Sequence, residues 1–327
     1  MSKYRFTTCV QCEESDGKSL TITSDPFLDR QGEFEVIRCK GCGLVRTRNL
    51  PQPDELDLFY RDHYGIFHEI QEETHTPSPE KKNPVKELLK KLGVLALLSQ
   101  LRVQYDKYAI SSVTPKGKIL EVGCGIGKII RPLKEMGAEV VGVEPGPSLA
   151  EQAKKAGLEV YCNLFEDFSW EREKFDQVLF SFTLEHIENP KEALEKARSL
   201  LKPDGKLHIL CPNFNSIERF LFGKNWFCWH LPYHKYYFSQ DTLGQLLTNT
   251  GFTVTKSKTD FRMDAVIQSM RIAWYQIIKR QKPSFPTNPH YFLMMFSAVF
   301  FIPFKLFGMG NLLHVVATPK PIDSKNQ

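Results

Sequence analysis

The sequence has little that would direct the chain out of the cytosol or through a bilayer. Its first ten residues, MSKYRFTTCV, contain no apolar segment of the kind a secretory signal needs, so we expect a cytoplasmic protein. An uncharged apolar stretch, Tyr291 to Phe304, has 14 residues. That is short of the roughly 20 residues that a membrane-spanning helix requires.

The chain also lacks a strong excess of one charge. A formal net charge of +5 over 327 residues permits contact with an anionic surface but does not require nucleic acid as a partner. Aromatic and basic residues do not interleave near the first cysteines, as they would on a nucleic-acid platform. We therefore do not expect nucleic acid as a partner. The length allows one α/β domain of about 200 residues with smaller appendages.

Disulfides are not expected in a reducing compartment, so the eight cysteines need another explanation. Four of them form two C-x-x-C pairs, Cys9 with Cys12 and Cys39 with Cys42. Two such pairs can complete a tetrahedral shell of four thiolates around a structural zinc ion. The spacing predicts a zinc ribbon over 1–50, and a redox C-x-x-C is the alternative.

The segments around the central region are apolar or linker-like. Residues 51–112 are predicted to form a helical linker, with a polar stretch at 72–84 and a helix at 86–108 that either packs on the core or lies on a membrane surface. Residues 262–310 form an apolar helical insertion with basic residues at 279–282. This insertion is an extra helical layer, a dimer contact or a segment in the membrane interface. A last strand at 311–318 and a tail at 319–327 follow.

A glycine-rich turn follows a short apolar strand at 118–122 and precedes a predicted helix at 128–136. Its glycines, Gly123, Gly125 and Gly127, let the backbone approach a nucleotide closely. Glu144, at the end of the next strand, lies where an acid can bind both ribose hydroxyls. Lys128 occupies the place of the third dinucleotide glycine, and Glu121 would repel a pyrophosphate. The turn therefore favours a nucleoside with an ammonium group over NAD.

Several segments together resemble one family. Residues 121–127 (EVGCGIG) resemble motif I of class I S-adenosylmethionine-dependent methyltransferases, and Glu144 resembles their ribose-binding acid. Residues 175–186 (FDQVLFSFTLEH) resemble the fourth strand with its following signature, and residues 200–207 (LLKPDGKL) resemble the turn into the fifth. The pattern is closest to the ubiquinone-biosynthesis O-methyltransferase-like group, and residues 42–60 resemble the zinc ribbon that precedes many such domains.

The resemblance implies an α/β fold, with a Rossmann-like seven-stranded sheet over 113–261 that has one antiparallel edge strand and is completed by the last strand. It also implies S-adenosylmethionine as cofactor, with adenine contacts at 163–167. The cofactor-binding residues expected from it are Glu121, Gly123, Cys124, Gly125, Gly127, Glu144, Asn163, Glu166 and Phe182.

Three histidines are candidates for the base that removes a proton from a hydroxyl acceptor, because imidazole titrates near neutral pH. His186 follows the fourth strand, while His230 and His234 lie in an aromatic stretch at 225–239 that is either a lid or part of the core. In the resembling group, the region of Glu185 and His186 is associated with a divalent metal.

We expect O-methylation of a small-molecule, glycan or lipid-linked acceptor by a cytoplasmic protein that contacts the inner face of a membrane through 262–310. The alternatives are a sugar C-methyltransferase, an RNA methyltransferase guided by the ribbon, and a non-catalytic adaptor that binds the cofactor. The sequence following the fourth strand, Ser181-Phe-Thr-Leu, lacks the (Asp/Asn)-Pro-Pro-(Tyr/Phe) pattern of amino-directed base methylation. The sequence as a whole does not indicate an oligomeric state.

Overall fold

A computed structural model describes residues 4–24, 32–52, 105–278 and 300–321. Most of the predicted helical linker at 51–112, including its polar stretch at 72–84, and most of the apolar run at 291–304 lie outside these residues. Within the described ranges, no helix is long and apolar enough to cross a bilayer.

A seven-stranded sheet forms the centre of the chain, in the order β12-β13-β10-β9-β6-β7-β8. Its strands are β6 (Lys118–Val122), β7 (Glu139–Val143), β8 (Glu159–Tyr161), β9 (Phe175–Ser181), β10 (Leu201–Pro212), β12 (Phe252–Asp260) and β13 (Leu312–Pro319). Strands β8, β7, β6, β9 and β10 are parallel, and β13 runs antiparallel to both of its neighbours. The class I methyltransferase fold is confirmed, but the antiparallel strand lies second from the edge, because β12 pairs outside it.

Helices cover both faces of this sheet, which is why β6 is buried at all five positions. The helices are α1 (Tyr105–Ser112), α2 (Ile130–Glu135), α3 (Pro147–Lys155), α4 (Pro190–Leu200), α5 (Ile217–Phe222), α6 (Gln240–Asn249) and α7 (Met263–Ile278). One apolar cluster joins the sheet to α4 and α6, and a second joins the other face to α1, α2 and α3. The carboxyl ends of the parallel strands thus share one open edge, where ligands bind in such sheets.

The N-terminal residues form a small β domain. Its strands are β1 (Tyr4–Phe6), β2 (Gly17–Thr23), β3 (Phe34–Cys39), β4 (Val45–Thr47) and β5 (Asn49–Pro51). β1 pairs with β5, while β2, β3 and β4 form a sheet whose fourth strand, β11 (Tyr236–Tyr237), comes from the other domain. A third cluster packs Phe34, Val36 and Val45 against Trp226 and Trp229. The two parts of the chain therefore share core residues.

Candidate functional site

The predicted glycine turn joins β6 to α2 at the open edge of the sheet. Gly123, Gly125 and Gly127 have φ angles of 72°, 53° and 81°, a region that residues with a Cβ rarely adopt. A Cβ on Gly123 would lie 2.6 Å from Thr183 Oγ1, and one on Gly127 would lie 2.1 Å from Leu158 Cδ1. The turn therefore needs glycine for its backbone angles at all three positions, and for close packing at Gly123 and Gly127.

Glu144 is held against this turn. Its carboxylate accepts hydrogen bonds from the backbone N–H groups of Gly125 (2.9 Å) and Gly146 (2.8 Å), and only 3% of the residue is exposed. Burial raises the pKa of Glu144, while the two amide hydrogen bonds act to lower it. Each oxygen keeps a second lone pair that can accept from a hydroxyl. Ribose binding by Glu144 stays a prediction that this geometry accommodates.

The other predicted cofactor residues surround the same edge. Glu121 and Cys124 are buried on either side of Gly123, with 2% and 6% of each residue exposed. Asn163 and Glu166 are exposed beside the 3₁₀ turn Phe165–Asp167 that follows β8. Phe182, directly after β9, has a φ angle of 53°. A glycine turn without side chains next to two buried carboxylates fits a nucleoside that carries an ammonium group, as S-adenosylmethionine does.

His186, His230 and His234 come together in one cluster, although 44 residues separate the first two in the sequence. The ring centroids of His186 and His234 are 4.7 Å apart, and those of His230 and His234 are 4.9 Å apart. The backbone N–H of His186 donates to Thr183 O (2.9 Å), and the Thr183 hydroxyl donates to Val122 O (2.9 Å). Through Thr183 the cluster is connected to Val122, the last residue before the glycine turn.

Hydrogen bonds to carbonyl groups fix the tautomers of two of these histidines. His186 Nδ1 lies 3.1 Å from Tyr233 O, and His234 Nδ1 lies 2.9 Å from Cys228 O. A carbonyl only accepts, so each Nδ1 carries a proton and each neutral ring keeps its lone pair on Nε2. The third ring follows, because His230 Nδ1 is 3.4 Å from His234 Nε2 and can donate to it.

Burial keeps the cluster uncharged. It lowers the pKa of His186 and His230 well below the usual value, and that of His234 to about 4, with the neighbouring imidazoles lowering the first two further. Burial also raises the pKa of Glu185 to about 8, and among the described residues neither oxygen of that carboxyl group has a hydrogen-bond partner. Ligand atoms of Glu185, His186 and His234 all lie within 4.8 Å of one another. These are donors that a divalent cation could use.

Most of the aromatic stretch at 225–239 is core. Trp226, Trp229 and Tyr233 are buried, with at most 5% exposed, and Trp226 and Trp229 belong to the cluster shared with the N-terminal strands. His186 and His230 are only half-buried. The stretch therefore packs its large rings inward, with His234 buried (6% exposed) and His230 half-buried.

The four N-terminal cysteines also come together. Cys9 Sγ is 3.4 Å from Cys42 Sγ, Cys12 Sγ is 3.4 Å from Cys39 Sγ, and all four sulfurs lie within 4.8 Å of one another. A tetrahedral zinc ion with Zn–S bonds of about 2.3 Å separates its sulfurs by just under 4 Å. The set fits zinc. The remaining cysteines, Cys124, Cys162, Cys211 and Cys228, are scattered through the other domain.

A family model described as a methyltransferase domain matches residues 80–257, just over half of the chain. The chain belongs to the methyltransferase domain family. It is similar to an uncharacterized protein of Methanocaldococcus jannaschii, with 36% identity over 101 residues, which is 31% of this chain and 47% of the relative. It is also similar to the ubiquinone biosynthesis O-methyltransferase of Coxiella burnetii, with 32% identity over 132 residues, 38% of this chain and 55% of the relative.

This methyltransferase-family chain thus spans about half the length of the curated relatives it matches. Among solved structures, it is similar to the magnesium protoporphyrin IX methyltransferase of Synechocystis PCC 6803 with bound SAH. That match is 12% identical, covers 82% of this chain and 100% of the other, and has a TM-score of 0.46.

Sequence reasoning missed two residues that organise the site. Thr183 connects the histidine loop to the glycine turn, and Thr47 of β4 contacts the segment of His234. A hydroxyl two residues after the fourth strand is a signal that the sequence does offer for Thr183. Thr47 has no comparable signal, because its partner is 187 residues away.

Proposed function

We propose that the chain is an S-adenosylmethionine-dependent methyltransferase that methylates a hydroxyl oxygen of a small-molecule, glycan or lipid-linked acceptor. The observation that carries the proposal is the group of neutral histidines, His186, His230 and His234, connected through Thr183 to the glycine turn. The similarity to relatives named as ubiquinone biosynthesis O-methyltransferases supports oxygen as the acceptor atom.

Separate residues would bind the cofactor and accept the proton. When bound, S-adenosylmethionine supplies a methyl group that its sulfonium already activates, so the protein mainly positions the reactants. The glycine turn, Glu121 and Glu144 would hold the cofactor. His186, with its lone pair on Nε2, would accept the hydroxyl proton as the oxygen–carbon bond forms. Its half-buried position lets it face an acceptor while the buried aromatic residues behind it exclude water.

The test is to incubate purified chain and methyl-labelled S-adenosylmethionine with lipid and aqueous cell extracts. We expect one of these fractions to gain label on an oxygen. Because a general base typically contributes about a hundredfold, His186→Gln should lower that turnover by about this factor with unchanged affinity for S-adenosylhomocysteine. Label in RNA would favour the RNA methyltransferase, label on carbon the sugar C-methyltransferase, and cofactor binding without transfer the adaptor.

Binding a divalent cation is a second role that the same donor atoms could have. Glu185, His186 and His234 would hold it, and it would supply Lewis acidity beside the acceptor oxygen. Dialysis against a weak chelator that leaves one zinc per chain separates the two roles. Loss of turnover that Mg²⁺ or Mn²⁺ restores would favour the cation, and unchanged turnover would favour the proton acceptor.

For the acceptor we favour a lipid-linked molecule, because an exposed apolar patch lies near the open edge. The elements α5, α7 and the 3₁₀ turn Ile302–Phe307 share an inner cluster, and their outward residues form what we call the apolar patch. Leu306 is 86% exposed, Phe307 77% and Trp274 63%. Its other members are Phe220, Leu221 and Phe300.

A cleft of about 340 Å³ connects the patch to the carboxyl end of β10. Phe220 and Phe307 line its apolar side, and Asn213, Gln240 and Asp241 line its polar side. Asn213 directly follows β10, so the cleft reaches the edge at which the cofactor turn lies. An apolar mouth with a polar floor fits a polar group carried on a lipid chain.

The charge beside the patch supports one kind of surface that would cover it. Lys224 is exposed just after α5, and Lys305, which forms an ion pair with Asp260 (Nζ to Oδ2 2.9 Å), lies exposed within the 3₁₀ turn beside Leu306. Basic residues around exposed aromatic and aliphatic side chains favour an anionic bilayer surface. We therefore propose that the apolar patch docks on anionic lipid.

Flotation with vesicles of phosphatidylglycerol and phosphatidylcholine tests this surface. The chain should float with these vesicles, and Leu306→Ser with Phe307→Ser should remain at the bottom of the gradient. Leu20→Ser with Ile22→Ser, which removes exposed apolar side chains from β2, is the matched control and should still float. A wild-type chain that does not float, or a dimer that the first variant dissociates, would contradict docking on lipid.

A further inference from the structure

The N-terminal domain reaches the histidine cluster through a shared sheet. β11 pairs antiparallel with β4, with Tyr236 opposite Arg46 and Tyr237 opposite Val45. β4 begins three residues after Cys42, and β11 begins two residues after His234. The zinc-binding cysteines and the histidine cluster are therefore separated by one pair of short strands.

Thr47 makes the most direct contact across this junction. Its backbone N–H donates to Lys235 O (2.9 Å), and its hydroxyl donates to His234 O (2.9 Å). The Tyr237 hydroxyl also lies 3.3 Å from His234 O, and Thr47 is 1% exposed. These hydrogen bonds fix the backbone of His234 and thereby the direction in which its ring leaves the chain.

Charged side chains form a second connection between the N-terminal domain and the loops of the histidine cluster. Arg5 Nη2 and Lys235 Nζ both lie 2.7 Å from Glu188 Oε2. Burial acts to raise the pKa of Glu188, but the two cations lower it to about 2. Lys235 N also donates to Glu185 O (2.9 Å). The N-terminal domain thus contacts both loops that supply the cluster, the one after β9 and the one before β11.

The position of β4 depends on the cysteine site. Cys39 ends β3 and its N–H donates to Leu44 O (2.9 Å), so the second C-x-x-C pair forms the turn into β4. A domain of about 45 residues buries too little apolar surface to hold such a turn alone, and bound zinc supplies the missing folding free energy. Loss of zinc would release β4 and with it the hydrogen bonds to His234.

Arg46 supports this dependence. It is fully buried, and its Nη2 donates to Glu14 O and Ser15 O, directly after the first C-x-x-C pair. Within the part of the chain that the structure describes, its Nε and Nη1 have no hydrogen-bond partner. A buried cation is costly without compensating negative charge, and four thiolates around Zn²⁺ carry a formal charge of −2. Arg46 therefore connects the segment after the first C-x-x-C pair to the strand that pairs with β11.

We propose that the zinc ribbon positions the ring of His234, which lies 4.7 Å from that of the proton acceptor His186, with Thr47 as the positioning residue that connects ribbon and ring. The inference rests on the proposed function for its catalytic consequence. Thr47 contacts the backbone of His234 and takes no part in the transfer itself. The ribbon then acts on the histidine cluster through the backbone of His234.

The test compares Thr47→Val, Thr47→Ser and Thr21→Val. Valine matches threonine in shape and favours a strand but removes the hydroxyl, serine keeps the hydroxyl, and Thr21 lies on β2 at the far edge of the same sheet. Because small displacements of catalytic groups are costly, we expect Thr47→Val to slow methyl transfer into the labelled extract fraction about tenfold. KM for S-adenosylmethionine and one zinc per chain should be retained, and the other two variants should resemble the wild type.

A spectroscopic readout separates failure of this inference from failure of the proposed function. The ¹⁵N signals of the His234 imidazole should shift in Thr47→Val and on removal of zinc, but not in Thr21→Val. If the signals shift but the wild type transfers label to no extract, the positioning role is supported and the proposed function is contradicted. Unshifted signals with unchanged turnover, or loss of S-adenosylhomocysteine binding in Thr47→Val, would overturn the positioning role.

Discussion

Gly123 combines a left-handed backbone, with φ at 72°, and a close approach to Thr183 Oγ1. In Gly123→Ala the added methyl group would meet the hydroxyl that connects the turn to the histidine loop. We expect a loss of about 1–3 kcal/mol in the free energy of unfolding and weaker binding of S-adenosylhomocysteine. Urea denaturation and calorimetry measure the two effects.

Gly137→Ala is the matched control for that variant. Gly137 has a φ of 100°, yet a Cβ there would meet nothing within 4 Å. It should lose stability without losing affinity for S-adenosylhomocysteine. Equal affinity in both variants would contradict the importance of the contact between Gly123 and Thr183.

Glu218 is a fully buried acid outside the proposed site. It accepts hydrogen bonds from the Ser269 hydroxyl and the Asn311 amide. Burial raises its pKa from 4.5 to about 7, although both hydrogen bonds act in the opposite direction. The folded chain therefore holds this proton more tightly than the unfolded chain does.

The sign of the resulting pH dependence follows from linkage. The stabilisation by Glu218 is fully present below about pH 4.5 and is lost as the pH rises through about 7, because the unfolded carboxyl group ionises first. Relative to Glu218→Gln, the wild type should lose up to about 3 kcal/mol of unfolding free energy between pH 5 and pH 8. A difference that stays constant across urea titrations at these pH values would disprove the shift.

Helix α6 begins with a capping box. Ser239 Oγ accepts from the N–H of Thr242, and Thr242 Oγ1 accepts from the N–H of Ser239. Ser239→Ala removes a cap, so the free energy of unfolding should fall by about 1 kcal/mol. Thr248→Ala, on the exposed face of the same helix, should change it by less than half of that in the same chemical denaturation. Equal losses would show that the box contributes nothing.

Elements with strong local patterns could be predicted from the sequence. The strand at 118–122 has the predicted bounds, because an apolar run defines it locally. The helix predicted at 128–136 is shorter, Ile130–Glu135. β10 starts at Leu201, so the predicted turn at 200–207 is an irregularity within a strand, where the pairing with β9 shifts between Leu201 and Lys206. β11 has two residues and depends wholly on β4, so no local pattern could indicate it.

The candidate site could be predicted as a set of residues but not as an arrangement. The cysteine spacing indicates one metal site, and the four sulfurs do meet. The sequence indicates the three histidines by their chemistry alone. Their proximity depends on the packing of Trp226 and Trp229 beneath the loop, which is a tertiary effect. The fold buries Glu185, whose oxygens have no hydrogen-bond partner among the residues that the structure describes, and no local pattern in the sequence indicates this.

The chain should unfold as one unit, because apolar clusters cross from the N-terminal strands into the other domain. Cys9, Cys39 and Leu44 belong to the cluster that includes Tyr236 and Phe238. Removing zinc should therefore lower a single calorimetric transition by roughly 10 °C or more. Two transitions, of which the upper is unchanged by chelation, would show that the ribbon unfolds independently.

Residues 236–237 add a strand to the sheet of the ribbon, and this restricts how domains can be exchanged between related enzymes. A fragment that ends at residue 52 would expose the backbone of β4, and a fragment that begins at residue 105 would leave β11 without a neighbour. Open strand edges invite pairing between molecules. A chimaera that imports a foreign ribbon must therefore import the matching loop as well, and the two segments should change together over evolutionary time.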